Sequence, residues 1–177
     1  MKLAQKIVVA TTITGTWMIA MAALCYAIGV RINTSPSIPL GLYWTSSLPL
    51  SKGAYVLFCP PQVGVIAEAR SRGYLSSGFC PGDYGYMMKK ILAVKDDTVV
   101  ISDTGVSVNG TLLPFSAPMN KDKAGRPLPR YQSANFVIGN SELLLMSDRS
   151  GTSFDGRYFG PVNRAQIKTV IVPVMTW

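Results

Sequence analysis

Residues 7–30 read IVVATTITGTWMIAMAALCYAIGV, and residues 31–43 follow at once as RINTSPSIPLGLY. The first stretch holds no Asp, Glu, Lys or Arg over 24 residues. As a helix rising about 1.5 Å per residue it reaches about 36 Å, enough to cross a hydrocarbon core of about 30 Å with some tilt. Lys2 and Lys6 precede it and Arg31 follows it, so the positive-inside rule puts the N-terminus in the cytoplasm. Ala20-Met21-Ala22 has the small-x-small form of a secretory cleavage site, but the run is longer than the apolar core of a signal peptide, which favours a retained anchor. In the second stretch Pro36 and Pro39 forbid helix. The reading is therefore an anchor over residues 1–31 and an extracytoplasmic domain over 32–177.

That domain reads as mostly β. Short apolar, β-prone runs occur at Ala54–Cys59, Tyr86–Val94, Thr98–Ser102, Val106–Val108, Leu143–Ser147 and Lys168–Met175. Asn109-Gly110 is a hairpin turn signal, because both residues tolerate positive φ. One amphipathic helix is expected over Gln62–Arg72, with Val63, Ile66 and Ala67 on its apolar face. Ala117–Tyr131, with Lys121, Asp122, Lys123, Gly125, Arg126 and three prolines, reads as a surface excursion.

Composition excludes much chemistry. Among 177 residues there is no histidine, which removes Ser-His-Asp and Cys-His catalysis and the usual zinc sites. The nine acidic residues form no ligand-like cluster; Asp96-Asp97 is expected in a solvated turn. The glycines fit turns rather than a phosphate loop, so neither a metal nor an organic cofactor is expected. The net charge is +8, but the basic residues are scattered without aromatic interleaving, which argues against nucleic acid and for anionic lipid headgroups. Cys25 lies in the apolar run, while Cys59 and Cys80, both followed by proline, can pair in an oxidising compartment.

A hydrolase without histidine needs another base, and a lysine of depressed pKa is one. Lys89 and Lys90 sit inside Met87-Met88-Lys89-Lys90-Ile91-Leu92. Strand alternation sends one of them inward, where lost hydration favours the neutral amine.

Ser35-Pro36-Ser37-Ile38-Pro39-Leu40-Gly41-Leu42-Tyr43, directly after a membrane span, resembles the nucleophile box of type I signal peptidases. Its Pro-x-Gly-x-Tyr continuation is similar to the TraF-type branch that serves conjugative transfer. Met88-Lys89-Lys90-Ile91-Leu92-Ala93-Val94 resembles the lysine box. Ser153-Phe154-Asp155-Gly156-Arg157, continuing to Gly160-Pro161, resembles the C-terminal Ser-x-Asp-x-Arg box. The sequence departs where Val94-Lys95-Asp96-Asp97 stands for the usual Pro-Gly-Asp, and where Gly156 stands for the usual serine. The resemblance implies a signal-peptidase-like β domain on one transmembrane helix, with Ser37 as nucleophile and Lys89 as general base. It also implies Ser35 as an oxyanion donor, Ser153 as orienter of the lysine, and Asp155 as a third catalytic residue, held in a charged pair with Arg157. The implied substrate is a membrane-anchored, pilin-like precursor at the bacterial inner membrane, cut on the periplasmic side and in some members cyclised. Ser147 and Ser150 are expected to be ordinary loop serines. Housekeeping removal of signal peptides, and a catalytically silent module of a secretion assembly, remain as alternative readings.

Overall fold

The structure is a computed structural model that describes residues 2–131 and 135–177. Helix α1 (Leu3–Ala27) has no buried residue and is long and apolar enough to cross a membrane. Its four threonines do not interrupt it. The hydroxyls of Thr11, Thr12, Thr14 and Thr16 donate to carbonyls one turn back, so none of these hydroxyls needs water. At its end Arg31 stacks on the Tyr26 ring at 3.9 Å and donates to the Tyr26 carbonyl. This satisfies one of the acceptors a helix C-terminus leaves open. Strand β1 (Val30–Asn33) follows after two residues, so Val30 and Arg31 belong to the sheet, not the anchor.

The rest is mostly β, built on two antiparallel sheets. The larger sheet has the order β1–β2–β12–β3–β5–β10–β11, where β2 is Gly41–Ser46, β3 Tyr55–Phe58, β5 Met87–Ala93, β10 Glu142–Met146, β11 Val162–Asn163 and β12 Ile167–Thr176. The smaller has the order β8–β7–β6–β9, where β6 is Thr98–Ser102, β7 Gly105–Val108, β8 Thr111–Leu112 and β9 Asn135–Val137. Between β3 and β5 the chain makes α2 (Gly64–Ser71) and a short strand β4 (Ser77–Cys80).

Strand β10 shows why the core has two halves. Leu143 and Leu145 pack with Val56, Phe58, Ile91 and Ile66 on one face. Leu144 and Met146 pack on the other with Val99 and Val106 of the smaller sheet, with Ala93 at the end of β5 and with Ile138 just after β9. A strand covered on both faces needs an unbroken apolar run rather than alternation, and Leu143-Leu144-Leu145-Met146 supplies one.

All six strands expected from the sequence are present within one or two residues of the expected ends. Asn109 (φ 51°) and Gly110 (φ 80°) form the expected turn, between β7 and β8. The helix forms but presents Ile66 and Ala69 to the core, while Val63 and Ala67 are exposed. The Asp96-Asp97 turn is also not simply solvated. Asp96 takes the left-handed conformation (φ 70°). Asp97 is buried, accepting from Val94 N, Lys52 Nζ and Asn109 Nδ2. It ties the end of β5 to the β7–β8 turn, and those bonds hold its carboxyl below the usual range against the opposing effect of burial. The cysteines pair: Cys59 and Cys80 are bonded with Cα atoms 5.5 Å apart, stapling the excursion that carries α2.

Candidate active site

The turn after β1 carries Ser37, and Asn33 explains its shape. Pro36 and Pro39 have no N–H, so the turn is short of backbone donors. The buried Asn33 amide donates to the carbonyls of Ser35, Ile38 and Pro39 at 2.8–3.0 Å. Its Oδ1 accepts from the Ser35 N–H and hydroxyl, both at 3.1 Å. Sequence reasoning did not single out Asn33. The hint was an asparagine opening a proline-rich turn, a residue type that bonds to its own backbone.

The continuation Pro39-x-Gly41-x-Tyr43 is also structural. The Tyr43 hydroxyl donates to the Pro39 carbonyl at 2.7 Å, and its fully buried ring packs with Ile38, Leu57 and Ile171. Gly41 has φ 146°, and a Cβ there would lie 2.1 Å from the Met175 carbonyl oxygen, so only glycine lets β12 approach.

Strand β5 delivers the lysine. Lys89 pairs with Val56 of β3 across the sheet, and Lys90 with Tyr55, so the two side chains leave on opposite faces. Lys89 is 4% exposed. Its Nζ donates to Ser37 Oγ at 2.6 Å and to Ser153 Oγ at 2.8 Å, and the two hydroxyls lie 3.2 Å apart. Burial pushes the lysine down to about 8; Asp155 partly opposes this and Arg157 adds to it. Lys90 instead forms an ion pair with Asp148 at 2.6 Å beside the Tyr55 ring.

The C-terminal box lies behind this triad of atoms. Asp155 is fully buried and accepts from Arg157 Nε and Nη2 at 2.9 and 3.1 Å. It also accepts from the backbone N–H groups of Arg157 and Ser147. Among the described residues it makes no hydrogen bond to Lys89 or Ser37. Its position is that of a support, not a group in contact with the reacting atoms. Arg157 reaches on to the carbonyls of Phe115, Ala117, Ser150 and Gly151. Ser147 is not an ordinary loop serine. It is fully buried at the end of β10, and its Oγ accepts from the N–H groups of Arg149 and Ser150. Gly156 fits for lack of room: a Cβ would lie 2.8 Å from Leu144 Cδ1 and 3.0 Å from the Leu145 carbonyl oxygen.

Ser35, Ser37, Lys89 and Ser153 all line a cleft of about 850 Å³. Among the described residues no cluster of three metal-ligating side chains occurs.

The family model for "Signal peptidase, peptidase S26" matches residues 1–176. The chain belongs to that signal peptidase family. It is 63% identical over 176 residues to the plasmid transfer protein TraF of Escherichia coli, covering 99% of both chains. It is 39% identical over 153 residues to a probable conjugal transfer protein TraF of Sinorhizobium fredii, covering 84% of this chain and 78% of the relative. Among solved structures it is similar to a signal peptidase I from Enterococcus faecalis V583, with 17% identity and a TM-score of 0.40, over 72% of this chain and 100% of that one. Within this signal peptidase family the chain thus has TraF proteins of plasmid and conjugal transfer as high-identity relatives.

Proposed function

We propose that this protein is a membrane-anchored serine endopeptidase that matures a pilin-like precursor during conjugative transfer. The observation that carries the reading is Lys89 Nζ, buried, 2.6 Å from Ser37 Oγ. An amine lowered to about 8 is neutral in about one molecule in ten at pH 7. In that form Nζ takes the Ser37 proton as Oγ attacks the scissile carbonyl, while the Ser153 hydroxyl keeps the amine aimed. Two donors are available to the oxyanion. Among the described residues the Ser37 backbone N–H makes no hydrogen bond. The Ser35 hydroxyl, held on Asn33 Oδ1, is free to turn because the Ser35 N–H keeps that acceptor satisfied. Each such donor is worth roughly 3 kcal/mol.

Lys89 then returns its proton to the leaving amine, leaving an acyl ester on Ser37. Water completes hydrolysis; the precursor's own terminal amine in place of water forms a new amide and frees the Ser37 hydroxyl, giving a ring. The site sits at the periplasmic face of the inner membrane, with the N-terminus of α1 in the cytoplasm. Confining enzyme and precursor to one plane raises encounter frequency and fixes orientation. The similarity to TraF proteins of plasmid and conjugal transfer supports the transfer context.

The test is co-expression with a pilin precursor of a conjugative transfer system, followed by intact mass. The wild type yields a mature chain, and a cyclic product is lighter than the linear one by one water, about 18 Da. Ser37→Ala and Lys89→Arg leave the precursor uncut, since arginine stays protonated. Cleavage persisting in Lys89→Arg rules the mechanism out.

A further inference from the structure

The excursion at Ala117–Tyr131 is not accounted for by the chemistry above. In the structure it is a small hairpin: Lys121 bridges Pro127, Asp122 N donates to Arg126 O, and Leu128 N donates to Asn120 O. It leans on the site's cleft, which Met119, Asp122, Lys123, Ala124, Arg126 and Leu128 line together with Ser37 and Lys89. Gly73–Ser76, at the end of the disulfide-stapled excursion, line the same cleft.

The two excursions meet at one carboxylate. Asp122, its side chain 8% exposed, accepts from the Tyr74 hydroxyl, from Arg126 Nε at 2.6 Å, and from the backbone N–H groups of Ala124 and Arg126. Arg72 Nη1 donates to the Pro127 carbonyl at 2.6 Å, a second tie between the same segments. At its base the hairpin is held by Arg157, through the Phe115 and Ala117 carbonyls, and by the Tyr158 hydroxyl, which accepts from Met119 N. No strand pairing joins the hairpin to either sheet among the described residues. Its placement over the cleft therefore depends on these polar ties and on the Arg130–Asp103 ion pair; Asp122 takes the tie from Tyr74, and its bonds from Arg126 and Ala124 brace the hairpin itself.

We propose that the Tyr74–Asp122–Arg126 cluster is a clasp that holds residues Ala117–Tyr131 as one wall of the peptide cleft, and that it sets how tightly an extended chain is held rather than how fast the bond is cut. This rests on Ser37 being the nucleophile of the proposed function. Tyr74 and Asp122 are positioning residues: they act on the substrate through the wall they fix. An extended peptide lying along the cleft makes contacts spread over several residues at about 3.3 Å each. Releasing one wall removes many weak contacts at once and leaves Ser37, Lys89 and Ser153 bonded to one another.

The experiment uses the full chain in detergent micelles. A small activated acyl ester labels Ser37, read by intact mass. An alanine-rich decapeptide is added as competitor, and the concentration that halves the labelling rate is measured. That concentration is compared within each protein to its own uncompeted rate, so changes in labelling itself cancel. Tyr74→Phe keeps the ring between Phe154 and Arg126 and removes one hydroxyl; Asp122→Asn keeps the volume. Both are expected to raise the half-protecting concentration about tenfold, and trypsin is expected to cut faster at Lys121, Lys123 or Arg126. Lys95→Ala, on an exposed turn elsewhere, leaves the value unchanged. An equal half-protecting concentration in wild type and both variants overturns the clasp, as does a wild type that the decapeptide does not protect at all. A wild type that the acyl ester does not label overturns the Ser37 reading itself, and the clasp with it.

Discussion

Replacing Lys89 with methionine should make the protein more stable while ending its activity. The lysine falls from 10.5 to about 8 on folding, chiefly through burial. At about 1.4 kcal/mol per unit, holding the protonated amine in that site costs about 3 kcal/mol. The sign follows from linkage: between pH 8 and 10.5 the unfolded chain binds more protons than the folded one, so stability rises with pH there. Below pH 8 both states are protonated and the cost is present in full. Lys89→Met removes the cost and a titration. It also removes two hydrogen bonds, each worth about 1 kcal/mol, although Ser37 and Ser153, 3.2 Å apart, can still bond to each other. Those losses and any packing change do not vary with pH, so the informative quantity is the pH-dependent part of the difference. Urea unfolding of the full chain in micelles, followed by the fluorescence of Trp44 and Trp177, measures it. The stability of Lys89→Met relative to wild type should be greatest below pH 8 and about 3 kcal/mol smaller by pH 10.5. A flat difference, or one that grows with pH, refutes a depressed lysine.

Other expectations follow from neighbouring contacts. Lys90→Ala should keep most of its activity in a precursor-cleavage assay, because Lys90 pairs with Asp148 away from Ser37; loss equal to that of Lys89→Ala contradicts the face assignment. Asn33→Asp replaces the amide that serves three carbonyls and should cost about 3 kcal/mol by urea unfolding, with at least a tenfold slower acylation of Ser37. Asp155→Asn breaks a fully buried pair with Arg157 and should lose about 3–5 kcal/mol. Because Asp155 raises the Lys89 pKa, the acylation profile of whatever folded protein remains should move to lower pH; a move to higher pH sinks that assignment. Cys59→Ser should lower stability by about 3 kcal/mol, the loop-closure value for a bridge spanning 21 residues.

The parts of the fold readable in advance were those whose pattern is local. The charge-free run of α1, the apolar runs of β3, β5 and β10, and the Asn109-Gly110 turn each declare themselves within a few residues. Strand β2 does not: Gly41–Ser46 lies between prolines and serines, and it becomes a strand because β1 and β12 pair on either side of it. The helix face was misjudged because Val63 is its N-cap, outside the turn that packs, whereas Ala69 meets the core. At the site, residue types in ordered boxes pointed to Ser37, Lys89 and Ser153, and the structure brings these three together. Asn33 went unnoticed and Ser147 read as an ordinary loop serine because their work is to satisfy backbone groups, and that demand exists only once the chain has turned. Asp97 likewise reads as a solvated turn until the end of β5, the β7–β8 turn and Lys52 converge on it.

The rate at which Ser37 is acylated, as a function of pH, tests the Ser–Lys account most directly. The full chain in micelles is treated with a small activated acyl ester, and the adduct is located by peptide mapping across pH 6 to about 10, bracketing the Lys89 value of about 8. The account requires a single adduct on Ser37, a rate that climbs with pH and levels off above about 8, and no adduct in Lys89→Met. An adduct rate that is independent of pH, or that survives intact in Lys89→Met, contradicts Lys89 as the base.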